Sequence, residues 1–237
     1  MHEQLKAIIT RFTPTMLDVV APAPAQAIGR LEARAGTLPP GYLEFLNWMG
    51  NRCPFLDGED LAYSPDDLLR VYAHPARNVP KGFLLIGVDL SDATIDAHLR
   101  IEDGAIALFS EYFDPLTTPD LPLENLGLES FLLTAYVRKT LVQSHPLHFA
   151  AAFRGDDEQL QELVRRLDEA CAHFEIPHRI ERPDFRFYGG GDFVIGLRRR
   201  PKSQVVILYF GALGRQRYEA WYDLIFARWG FVSVPLL

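Results

Sequence analysis

Apolar residues follow helical spacing through the first third of the chain and alternating spacing through its middle. The helix-then-strand order returns in the last third. Leu5, Ile8, Ile9 and Phe12 share one side of a helix predicted over residues 2–13. A loop broken by Pro14, Pro22 and Pro24 follows. Pro24 then opens a second helix, which turns Ile28 and Leu31 inward and ends at Gly36. In the third, Pro39 to Met49, the residues Tyr42, Phe45, Leu46 and Met49 recur at three- and four-residue intervals and belong inside, with Leu43 and Trp48 alongside. Pro39 and Pro40 pre-set φ at its entrance, and Gly50 sits where a left-handed C-cap would end it. Trp48 is assigned to the core, with an interface anchor as the alternative. Asn51 to Tyr63 is an acidic loop. Ser64 caps a short helix whose first turn carries Asp66 and Asp67, where the helix dipole favours negative charge.

The middle of the chain has strand periodicity. Gly82 to Val88 is a continuous apolar run suited to a central strand. Ile95, Ala97, Leu99 and Ile101 alternate with Asp96, His98, Arg100 and Glu102, which predicts one dry and one wet face. Asp103-Gly104 signals a two-residue hairpin turn, with Ala105 to Ser110 as the returning strand. After a loop holding Pro115, Pro119 and Pro122, an amphipathic helix carries Ser130, Phe131, Leu132, Ala135, Tyr136 and Leu141.

Ser144 to Gly155 is assigned to an interdomain segment, packed through Leu147, Phe149 and Phe153. From Asp156 a long helix presents Leu160, Leu163, Val164, Leu167, Ala170, Cys171 and Phe174 on one face. Strands are expected at residues 178–182, 185–188, 192–197 and 204–210, then a helix over 216–229 and a last strand at 231–234. The predicted fold class is α+β throughout. Helices pack on an antiparallel sheet in a domain spanning 1–144, and a second, smaller α+β sandwich spans 145–237.

The spacing Leu38-Pro39…Tyr42…Phe45-Leu46…Gly50 resembles the signature of the SUKH superfamily. The order of elements carries the resemblance on: helices, a buried Phe-Leu-Leu-Ile-Gly strand, an acidic turn, a hairpin, then a closing helix beginning at Ser130-Phe131. It covers roughly residues 20–143 and does not extend beyond them. The turn after the central strand departs from the pattern: Asp89-Leu90-Ser91-Asp92 lacks the Gly-Asp pair that members often carry. The resemblance implies a non-enzymatic cytoplasmic immunity protein that binds a cognate bacterial toxin and blocks its active site or substrate access. A general adaptor or regulatory module of the same fold, with no toxin partner, is the alternative. The appended domain enlarges the contact surface, dimerises, or binds a different partner.

Composition narrows these readings. The 237 residues are 48% hydrophobic and 23% charged, which suits a packed chain rather than a disordered one. No apolar run approaches the roughly 18 residues of a membrane span, and Arg11, Pro14 and Asp18 interrupt any leader-like stretch. A membrane is therefore not an expected partner. Residues 1–144 hold 11 Lys and Arg against 19 Asp and Glu, whereas residues 145–237 hold 13 against 12, giving the net charge of −7. An acidic first half argues against nucleic acid and for a basic protein partner. The acidic set expected to meet it is Asp57, Glu59, Asp60, Asp66, Asp67, Asp89 and Asp92, steering a toxin's Lys and Arg before pairing with them.

Other motifs have bland explanations. Cys53 and Cys171 lie far apart without a CxxC or a neighbouring His, so two reduced thiols are expected rather than a zinc site or nucleophile. Gly189-Gly190-Gly191 lacks phosphate-loop spacing and is taken as a hairpin turn. Arg198-Arg199-Arg200-Pro201-Lys202 is taken as a solvated hairpin tip, with an anion contact as the alternative. Asp89, Asp92, Asp96 and His98 match no metal-ligand spacing, and no nucleophile–His pattern occurs; neither a cofactor, a metal nor a catalytic residue is expected.

Overall fold

Two antiparallel sheets organise the chain, and helices pack against each of them. A computed structural model describes residues 2–57, 61–74, 79–89, 95–110, 123–176, 178–189, 192–200 and 204–235. The fold is α+β. The chain divides into two compact units, Met1–Leu132 and Leu133–Leu237, a division that falls inside one helix rather than at residue 144.

The first unit begins with α1 (Glu3–Phe12) and a 3-10 turn (Pro14–Asp18), followed by α2 (Ala25–Ala35), α3 (Pro40–Met49), α4 (Pro54–Asp57) and α5 (Pro65–Tyr72). Tyr42, Phe45, Leu46 and Met49 of α3 are all buried, as are Leu5, Ile8 and Ile9 of α1. Side chains tie α1 to α3. The His2 ring donates through Nε2 to the Gly41 carbonyl at 2.9 Å and stacks on Trp48, which is half-buried and lies beneath Lys6 Nζ at 5.2 Å. Gly50 ends α3 at φ −71°, so the expected left-handed cap is absent. A Cβ there would instead come within 2.6 Å of Leu46 Cα, so packing rather than dihedral freedom requires glycine.

The sheet of this unit has the order β1 (Leu61–Ala62), β2 (Phe83–Asp89), β3 (Ile95–Arg100), β4 (Ala105–Ser110) and β5 (Leu123–Gly127), every pair antiparallel. The β3–β4 hairpin forms where Asp103-Gly104 predicts one, but its loop is four residues, Ile101 to Gly104. Gly104 takes φ +71°, and Arg100 chelates the Asp103 carboxylate across the loop, its Nε at 2.8 Å. The expected wet face of β3 is dry over its first half. Asp96 and His98 are buried, and only from Arg100 onward do the polar positions reach solvent. A period of two fixes which residues share a face; it does not say whether another layer covers that face.

α6 (Leu128–Tyr136) runs on into a π-helical segment, Val137–Val142. In the second unit this segment lies against β9 (Phe193–Arg200) and β10 (Val205–Ala212). Glycine permits the approach, since a Cβ on Gly196 would stand 2.9 Å from Val137 Cγ1 and one on Gly211 would stand 3.0 Å from the Val142 carbonyl. The supposed interdomain segment is a strand, β6 (Leu147–Arg154), fully paired with β10. With β7 (His178–Glu181), β8 (Phe185–Gly189) and β11 (Val232–Val234) the sheet order is β11-β6-β10-β9-β8-β7. Arg198, Arg199 and Arg200 pair with β10 as ladder residues at the end of β9, and Pro201 and Lys202 of the expected hairpin tip lie outside the described residues.

α7 (Asp157–His173) opens with a reciprocal capping box. Asp156 accepts from the Gln159 N–H at 2.9 Å, and the Gln159 side chain accepts from the Asp156 N–H at 3.0 Å. Its Leu160, Leu163, Leu167 and Cys171 meet Phe193, Phe210 and Trp221 in one core, with Trp221 supplied by α8 (Arg215–Asp223). A second π-helical segment, Leu224–Arg228, continues α8 and buries Ile225. Cys53 and Cys171 are both buried free thiols. Among the described residues, no helix is long and apolar enough to cross a membrane.

Candidate protein-binding site

Local geometry gathers part of the acidic set into one groove of the first unit. α5 begins at Ser64, whose Oγ accepts the Asp67 N–H at 3.3 Å and donates to Asp67 Oδ2 at 2.5 Å. The carboxylate of Asp67 is thereby fixed at the positive end of the helix, with Arg70 donating to its other oxygen at 3.1 Å. One residue before Ser64, the Tyr63 ring is buried and its edge faces Phe45. The Tyr63 hydroxyl accepts the buried Cys53 N–H at 2.5 Å and donates to Asp57 Oδ1. Burial, and then the hydrogen bond to Asp57, push the Tyr63 phenol well above its ordinary pKa, so it remains a donor.

Asp57 and Asp67 therefore face one groove of about 490 Å³, lined also by Asn51, Tyr63, Ser64 and Arg70. Its apolar walls are Leu61, Ala62, Val71 and Val88. β1 is set close on β2 because residue 87 is glycine: a Cβ there would lie 2.9 Å from the Leu61 side chain. Among the described residues the groove offers two carboxylates against one exposed guanidinium. That arrangement suits a Lys or Arg side chain, whose aliphatic stem lies on the apolar wall while its head meets the carboxylates.

The structure brings only some of the expected residues together. Asp66 does not line the groove; Arg30 of α2 donates to it at 2.5 Å, an exposed pair worth about 0–1 kcal/mol that helps seat α5 on α2. Asp89 ends β2 opposite Leu61 in the ladder. Glu59, Asp60 and Asp92 lie outside the described residues. Tyr63, Asn51 and Arg70 belong to the groove but carry no motif. The only hint at Tyr63 is a polar aromatic between an acidic stretch and an N-cap. Among the described residues no cluster of three or more His, Cys, Asp or Glu forms a metal site. No family model matches the chain, and no curated protein or solved structure matches it either.

Proposed function

We propose that the chain is a non-enzymatic immunity protein, acting in the cytoplasm, that binds a cognate bacterial toxin and occludes its active site or substrate access. The observation that carries this reading is the groove itself, in which Asp57 and Asp67, from two different helices, face one space with an apolar wall. Each carboxylate is anchored through a hydrogen bond from a neighbouring hydroxyl, so little side-chain entropy remains to be lost on pairing with a partner's cation. The acidic balance of residues 1–144 adds long-range attraction for a basic surface. Such a partner is captured by steering, docks a basic side chain in the groove, and is inhibited by the bulk of the bound chain.

Co-expression with the protein encoded beside it tests the reading. The neighbour is expected to co-purify with the chain and to lose its toxicity. A neighbour that neither binds nor is neutralised would leave the adaptor role in its place.

A further inference from the structure

A second groove, of about 440 Å³, runs between α7 and the strands β8 and β9 of the second unit. Its charged lining has the opposite balance, with Arg165, Arg182, Arg186 and Arg199 against Asp168 and Asp184. Strand register explains the arrangement. Arg186 stands opposite Leu197, and Arg199 lies two residues further along the same face, its N–H donating to the Asp184 carbonyl at 2.9 Å. Arg186 and Arg199 are thus diagonal neighbours facing α7, with Leu160, Val164 and Leu197 forming the apolar part of the lining.

The guanidiniums are held out of bulk water: the side chains of Arg186, Arg182 and Arg199 are only 20%, 27% and 32% exposed. Arg186 is committed, because its Nη1 reaches both Asp168 oxygens at 3.1 and 3.0 Å and Tyr188 donates to the same carboxylate. Arg199 is less so. One of its Nη atoms donates to Asp157 at 2.7 Å, but that carboxylate is 72% exposed, and an exposed pair is easily exchanged. Its Nε is buried and has no hydrogen-bond partner. A buried charged donor without an acceptor costs free energy that an incoming anion recovers.

We infer that this groove binds a small phosphate ester with an apolar body. The phosphate sits between Arg199 and Arg182, takes the free Nε–H of Arg199 and displaces Asp157; the apolar portion covers Leu160, Val164 and Leu197. One guanidinium fork saturates the two oxygens of a carboxylate, whereas a phosphate offers a third oxygen to the second arginine. The volume lies within the range of small-ligand pockets. This site is independent of the toxin-binding groove and stands or falls without it.

Titration calorimetry of the full chain with phenyl phosphate, inorganic phosphate and benzoate tests the inference. Phenyl phosphate is expected to bind about tenfold more tightly than inorganic phosphate, the difference coming from the buried ring, and more tightly than benzoate. Arg199→Gln should weaken it about tenfold, and Asp157→Asn, which frees Arg199, should strengthen it about threefold. Should Arg199→Gln fail to fold, Arg182→Gln gives the same readout. Absence of saturable heat, equal affinity in the arginine variants, or weaker binding by Asp157→Asn would overturn the inference.

Discussion

Replacing Tyr63 by Phe separates the two duties of the acidic groove. The ring and its edge-on packing against Phe45 at 6.2 Å are kept, and only the hydroxyl goes. Two hydrogen bonds go with it. The buried Cys53 N–H loses the acceptor it reaches at 2.5 Å, and a backbone donor left dry costs about 1–3 kcal/mol. Asp57 loses a donor too, but it is exposed, so water replaces the hydroxyl at little cost. The sum is about 2 kcal/mol, almost all from Cys53. For a unit of this length, Met1–Leu132, that lowers its melting temperature by about 7 °C. Urea titration followed by circular dichroism, fitted to separate transitions for the two units, measures it, and hydrogen exchange at the Cys53 amide should speed up in step. Asp57→Asn keeps an acceptor oxygen for Tyr63 and should cost below about 1 kcal/mol. A Tyr63→Phe protein within about 0.5 kcal/mol of the parent would show that the hydroxyl is not what holds the α4–β1 corner.

Two further perturbations test the packing of each unit. Burial pushes the His98 imidazole down from 6.5 to about 4, against a weaker upward pull from its hydrogen bond to the Asp96 carbonyl. Because the folded pKa lies below the unfolded one, the stabilisation is complete above pH 6.5 and is lost as pH falls towards 4, about 3 kcal/mol in all. Denaturant midpoints across that window should slope accordingly, and His98→Gln should flatten the slope. Gly196→Ala places a methyl 2.9 Å from Val137 Cγ1, a stiff β-branched neighbour that cannot turn aside, and should cost about 1–3 kcal/mol in the second unit. Adding Val137→Ala should restore part of the loss; a Gly196→Ala protein of parental stability would deny the close approach of the π-helical segment to β9.

How far the chain can be read from its residues depended on what each pattern measures. α7 is plain because its apolar stripe and its Asp156 capping box specify the same helix twice. α3 is plain for the same reason, its prolines and its stripe agreeing. β6 escaped because Leu147-His-Phe-Ala-Ala-Ala-Phe has no alternation to show. Ala150 and Ala151 point to opposite faces of an interior strand and are both buried, and alanine carries no strand preference to compensate. Asp96 and His98 looked wet because they are polar, yet their face is covered. In the site, Asp57 is recognisable as an acid of a loop and Asp67 as an acid at a helix start. That they share a groove is not, because it follows from β1 pairing with β2 and from a Tyr63 hydroxyl bridging Cys53 and Asp57. Arg199 was hidden by its neighbours: three consecutive arginines suggest a charged tip, whereas strand register sends Arg199 into a groove on the face opposite Arg198.

The proposal that an acidic groove grips a basic protein is tested most directly by the association rate of the protein encoded beside the chain, measured by stopped flow across ionic strength. The parent rate should fall steeply as salt screens the groove, and Asp57→Lys should lower it about tenfold at low salt while leaving the fold intact. A rate indifferent both to salt and to charge reversal at Asp57 would contradict it.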